Sequence, residues 1–122
     1  MKALLLIAHG SRKEAANQDF CQLAERIGHQ QPDRFPIVVP AFLEFANPDI
    51  NQGVRQCVKQ GATRIIVIPY FLSPGNHVNR DIPHHLDAAR EQNPDIDIRV
   101  STHLGAHEGI ENLLLDCADR MN

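Results

Sequence analysis

Two histidines and a glutamate stand where apolar runs of the chain give way to turns. His9 follows Ala3–Ala8 and opens His9-Gly10-Ser11-Arg12. Glu44 closes Ala41-Phe42-Leu43-Glu44, and His77 ends Ser73-Pro74-Gly75-Asn76-His77, downstream of Ile65–Ile68 and Pro69-Tyr70-Phe71-Leu72. A neutral imidazole near pH 7 accepts a proton or binds a divalent cation. Two imidazoles and a carboxylate together suit Fe2+, Co2+, Ni2+ or Zn2+ and leave coordination positions open to water or a substrate. A site that passes its metal onward cannot hold it like a structural zinc cage, and this set contains no thiolate. Each residue also has a structural alternative. His9 could cap the turn before a helix, His77 could bond loop carbonyls, and Glu44 could be solvated or neutralise an arginine.

The elements that must deliver these side chains alternate between strand and helix, four times over. A first strand, Ala3 to Ala8, leads into a helix from about Arg12 to Gly28 with Ala16, Phe20, Leu23, Ala24 and Ile27 on one face. A second strand runs from Ile37 to about Leu43. Asn47-Pro48 reads as N-cap and first helical residue of a second helix, with Ile50, Val54, Cys57 and Val58 buried and Gly61 at its stop. A third strand spans about Thr63 to Phe71. Asp81 is expected to cap a short third helix with Pro83 in its first turn, ending before Asn93-Pro94. The fourth strand is Ile96 to Val100, and the fourth helix carries Ile110, Leu113, Leu114, Cys117, Ala118 and Met121 on one face.

Strands one and three are continuous apolar runs, as in strands covered on both faces, whereas strand four alternates and belongs at an edge. Right-handed crossovers then favour the order 2-1-3-4. The expectation is a single α/β domain over residues 1–122: a three-layer fold, a four-stranded parallel sheet with flanking helices. In such sheets ligands bind at the carboxyl ends of the strands, which is where His9, Glu44 and His77 arrive. His103 reaches the same rim after strand four. His84 and His85 are expected in the first turns of helix three, His107 at the start of helix four and His29 in a polar linker, none of them a primary ligand.

At 122 residues the chain has the size of one domain, and with 43% hydrophobic residues it can bury a real core. A net charge of -3 gives no basic footprint, so nucleic acid is not expected as a partner. No run reaches the length of a membrane span, and the amino-terminal apolar run is too short for a signal-peptide core. Cys21, Cys57 and Cys117 form no CxxC pair and read as reduced thiols of a cytoplasmic protein. Cys57 and Cys117 are expected to fill the core, while Cys21 sits near a face boundary.

His9-Gly10-Ser11-Arg12, Ala41-Phe42-Leu43-Glu44 followed by Pro48, and the long segment Pro69 to Pro83 (PYFLSPGNHVNRDIP) together resemble the sirohydrochlorin chelatases, in particular the small CbiX type, half-length members of the class II chelatases. The resemblance runs from the first strand to the last helix and is most specific in the third segment. It implies insertion of cobalt or ferrous iron into sirohydrochlorin, with His9, Glu44 and His77 at the metal-binding positions. Longer relatives hold the macrocycle between two lobes, so a single lobe implies a homodimer with two rims face to face. On that reading the metal, Co2+ or Fe2+ with Ni2+ or Zn2+ as further candidates, is a substrate, and no organic cofactor is expected. His9 and His77 would bind the ion and accept pyrrole protons. Ser11, Arg12, Ser73, Gly75, Asn76 and Arg80 are the candidates for holding the carboxylate-rich macrocycle. Two rival readings use the same residues: a metal carrier without a macrocycle cleft, and phosphoryl transfer through a phosphohistidine. The second is disfavoured because Ala8, not arginine, precedes His9.

Overall fold

The run Ala3–Ile7 is buried along its whole length, the condition of a strand covered on both faces. In a computed structural model, which describes residues 1–121, it forms the centre of strand β1 (Lys2–Ala8). Helix α1 (Glu14–Gln30), strand β2 (Ile37–Phe42), helix α2 (Ile50–Lys59), strand β3 (Arg64–Pro69), helix α3 (Asn76–Gln92), strand β4 (Asp97–Val100) and helix α4 (Ile110–Asp119) follow, with a single 3-10 turn at Leu104–Ala106 before α4. The four strands pair in parallel in the order β2-β1-β3-β4, as the apolar patterns predict. At the β4 edge Ile98 is buried while Arg99 and Val100 are exposed.

Two cores sandwich the sheet. On one face Leu5, Ile7, Val39 and Val67 meet Ile50, Val54 and Cys57 of α2 and Val78, Ile82, Leu86 and Ala89 of α3. On the other, Leu4, Leu6 and Phe42 meet Phe20 and Ala24 of α1. This is the three-layer α/β arrangement expected. None of the described helices is long and apolar enough to cross a membrane.

The local signals were overridden in several places. The N-cap of α2 is Asp49, not Asn47. Its carboxylate accepts from Gln52 N–H (2.8 Å) and Gln52 Oε1 accepts from Asp49 N–H (2.9 Å), a reciprocal capping box that Asn47 cannot supply. Helix α3 starts at Asn76, five residues before Asp81, so Pro83 lies in the helix interior. Its cost of about 3 kcal/mol is outweighed by the stripe Val78, Ile82, Leu86 and Ala89, all buried, while Pro83 itself faces outward. His84 and His85 therefore fall in mid-helix, His29 in the last turn of α1, and His107 ahead of α4. Cys57 is buried as expected, but Cys117 is exposed, because α4 buries none of its residues.

Candidate functional site

The parallel ladder between β1 and β2 continues past both strands. Leu43 N–H donates to Ala8 O (3.0 Å) and Glu44 N–H to His9 O (2.9 Å), so the loops leaving the two strands travel together. Gly10 then turns with φ +94, and a Cβ at that position would lie 1.8 Å from Glu44 O. Only a residue without a side chain permits this approach, whose consequence is a fixed spacing between the backbones of His9 and Glu44. Their side chains meet at the rim: His9 Nε2 is 3.4 Å from Glu44 Oε2, and both remain about half exposed (51% and 48%). An ion pair this open contributes at most about 1 kcal/mol to stability. What the pairing supplies is a ring nitrogen and a carboxylate oxygen held together and accessible from solvent.

The β1–α1 loop is clamped from below by a residue that the sequence did not single out. Asn17, buried at 6% exposure in the first turn of α1, accepts from Ser11 N–H (2.9 Å) and donates to Ser11 O (2.8 Å). Its signal was a polar residue beside the apolar stripe of α1, which reads as an ordinary surface position until the loop is seen to fold over it. Ser11 spends its hydroxyl accepting from Lys13 N–H (3.0 Å). Arg12 is exposed and lies over the ring of Phe45, 5.1 Å from its centroid; Phe45 adopts a positive φ of 67 and leaves its ring 54% exposed. Tyr70 and Leu72, 44% and 68% exposed, extend this apolar rim.

The other half of the rim belongs to β3 and α3. Gly75 is the N-cap of α3, and Asn76 and His77 are its first residues. Ser73, Gly75, Asn76 and Arg80 are all exposed. The side chain of His77 lies outside the described residues, so the structure brings together His9 and Glu44 and says nothing of the third member. The connector after β4 is fastened to the same rim: Gly105 N–H donates to Phe71 O (3.0 Å), and a Cβ on Gly105 would lie 1.8 Å from Leu72 O. Between them lies a cavity of about 210 Å3, lined by Phe71, Pro74, Val78, Val100 and His103 among others, which places His103 at the rim as predicted. A larger depression of about 550 Å3 follows the polar outer side of α2, along Gln52, Arg55, Gln56 and Lys59, and holds no histidine or acid.

Among the described residues, no three His, Cys, Asp or Glu side chains gather as a metal-binding group. His9 and Glu44 form a two-donor pair, able to share a cation or exchange a proton. The thiols stand apart from this chemistry: burial pushes Cys57 up to about 12, and burial followed by the charges of Glu14 and Glu25 raises Cys21.

The CbiX family profile matches residues 3–121. A sirohydrochlorin cobaltochelatase of Methanocaldococcus jannaschii is 44% identical over 86 residues, 70% of this chain and 59% of that protein. A sirohydrochlorin ferrochelatase of Priestia megaterium is 35% identical over 123 residues, covering 100% of this chain and 45% of the relative. Among solved structures, the sirohydrochlorin chelatase SirB of Bacillus subtilis subspecies spizizenii, in complex with cobalt, superposes with a TM-score of 0.81 at 32% identity, over 98% of this chain and 50% of that one. The chain thus spans about half the length of the curated relatives it matches.

Proposed function

This chain belongs to the CbiX family, and from that premise we propose that it inserts Co2+ or Fe2+ into sirohydrochlorin as one lobe of a chelatase completed by a second copy. The observation that carries the reading is the open His9–Glu44 pair, 3.4 Å apart at the carboxyl edge of the sheet, in a chain whose relatives are named sirohydrochlorin chelatases. His9, Glu44 and His77 receive the ion. Insertion breaks two pyrrole N–H bonds as metal–nitrogen bonds form, so two protons must leave for each divalent cation that enters. A neutral imidazole takes such a proton near pH 7. His9 and His77 have that role, while Glu44 offsets the charge of the incoming cation. The metal is substrate, with Ni2+ or Zn2+ as alternatives, and no organic cofactor takes part.

The macrocycle is flat and rich in carboxylates. Phe45, Tyr70 and Leu72 offer it apolar surface, and Arg12 and Arg80 offer its carboxylates guanidinium partners. Ser73, Gly75 and Asn76 line its edge with backbone amides and polar side chains, and the Ser11 hydroxyl, which accepts from Lys13 N–H, keeps its own proton to donate. One rim covers one face of such a ring, so a homodimer with rims opposed encloses both. Three free thiols among the described residues suit a reducing compartment such as the cytoplasm.

The test follows the absorbance of sirohydrochlorin with Co2+ or Fe2+, with wild type, His9→Ala and His77→Ala. Wild type is expected to accelerate insertion over the uncatalysed rate, and each variant to lose most of that acceleration while its circular dichroism is unchanged. A wild-type rate equal to the protein-free rate refutes the proposal and leaves a carrier that binds the ion alone.

A further inference from the structure

His103 reaches the carboxyl edge, yet the chemistry proposed for His9, Glu44 and His77 leaves it without a task. It helps to line the cavity of about 210 Å3 between α3 and the connector after β4. Much of that lining is apolar: Val78 and Ile82 are buried, Phe71 packs against the same core, and Val100 is 43% exposed. The polar part comes from Asn79, Ser101, Thr102 and His103, and no aspartate or glutamate contributes. The connector is held at both ends. Ser101 N–H donates to Val67 O (2.9 Å), and Gly105 N–H to Phe71 O (3.0 Å). Ser101 spends its hydroxyl proton on Thr102 O (2.9 Å), and His103 O accepts from Ala106 N–H (3.0 Å). What remains is a set of hydrogen-bonding groups on fixed backbone: the amides of Thr102 and His103, the Thr102 hydroxyl, the His103 ring and the Asn79 side-chain amide. None of them bonds to another described residue.

We propose that this cavity is the seat of one short carboxylate arm of the macrocycle, with His103 as the group that binds the arm. Three observations select that occupant. A short alkyl arm ending in a carboxylate is apolar along its stem and anionic at its tip, and the lining has the same two halves. The donors stand without a competing acid, so an anion meets N–H and O–H groups and no like charge. A divalent cation would find no carboxylate to balance it. The volume holds roughly seven waters at about 30 Å3 each, so the arm enters by displacing solvent and the fixed connector need not move. The cavity also adjoins the rim: Pro74 contributes to its lining, and Val78 and Asn79 follow His77 directly in the first turn of α3. An arm seated there fixes the rotation of a flat ring about the axis of metal entry. Phe45, Tyr70 and Leu72 leave that rotation free, because apolar contact is non-directional. The inference rests on the chelatase reading for the ring that bears the arm.

Binding of metal-free sirohydrochlorin, followed by the change in its absorbance, tests the seat without turnover. His103→Ala is expected to weaken binding about tenfold, and His103→Gln, which keeps an N–H donor, by less than about threefold. His103→Glu sets an acid against the arm and is expected to weaken binding more than His103→Ala does. In insertion assays the KM for the macrocycle rises about tenfold in His103→Ala while kcat stays within about twofold. Binding of Co2+ alone, measured by calorimetry, is the same in His103→Ala as in wild type. Equal macrocycle affinity in wild type and His103→Ala overturns the proposal, as does a His103→Glu chain that binds the ring as tightly as His103→Ala. A His103→Ala chain that loses Co2+ overturns it as well, because the imidazole would then be a metal ligand. The two readings fail separately. A chain that accelerates insertion, with its macrocycle affinity untouched by His103→Ala, sinks the seat alone. A chain that binds the macrocycle through His103 yet leaves insertion at the protein-free rate sinks the chelatase reading alone.

Discussion

Gly10→Ala puts the whole positioning argument at risk with one methyl group. Gly10 has φ +94, and the added Cβ would lie 1.8 Å from Glu44 O and 2.9 Å from Glu44 C, both backbone atoms. An ordinary non-bonded contact is about 3.5 Å, so the two loops must separate by roughly 1.5 Å. Adopting that φ with a side chain costs on the order of 1–3 kcal/mol. Opening the loops also forfeits the bond from Glu44 N–H to His9 O, 2.9 Å, worth about 1 kcal/mol. The loss is thus about 2–4 kcal/mol, which lowers the melting temperature by on the order of 10 °C for a domain of this size. The same displacement pulls Glu44 away from His9, and a misplacement of about 1 Å at reacting groups can cost roughly 100-fold in rate. Thermal unfolding by circular dichroism and metal insertion into sirohydrochlorin are the two readouts. Gly28→Ala, inside α1, where the new methyl makes only ordinary contacts with Val38 at 3.7 and 3.8 Å, serves as the stability control and should not lower stability. A Gly10→Ala protein with the melting temperature and insertion rate of wild type would refute the claim that this contact sets the spacing of the pair.

Glu44→Gln keeps the shape of the side chain and removes its charge; insertion should fall at least about tenfold in steady-state assays while stability moves by less than about 1 kcal/mol, since the pair is half exposed. Asn17→Ala strands the Ser11 N–H and carbonyl that Asn17 now satisfies, a loss of about 2 kcal/mol readable as a shifted denaturant midpoint. Stability should also fall in alkali. The Cys57 thiol is raised from 9.0 to about 12 by burial, so the folded chain keeps a proton that the unfolded chain releases. The contribution is complete below about pH 9 and is lost as pH rises toward about 12, at no more than about 1.4 kcal/mol per pH unit. Urea titrations across that window should show the slope in wild type and lose it in Cys57→Ala.

What the sequence determined by itself was set by local patterns that packing reinforced. The unbroken apolar runs of Ala3–Ala8 and Ile65–Ile68 and the alternation of Ile96–Val100 specified centre and edge, and handedness then ordered the sheet β2-β1-β3-β4. Because parallel strands point one way, the same reading carried His9 and Glu44 to one rim. Tertiary structure decided the rest, since the forces involved act between segments distant in the chain. Pro83 reads as a helix start until the burial of Val78 and Ile82 shows the helix already running through it. Gly10 reads as a turn residue until the Glu44 carbonyl is found against it, and Asn17 as surface until Ser11 closes over it. Cys117 reads as core because periodicity reports that a helix has an apolar face. Whether anything in the same chain covers that face is a property of the packed molecule, and here α4 lies exposed.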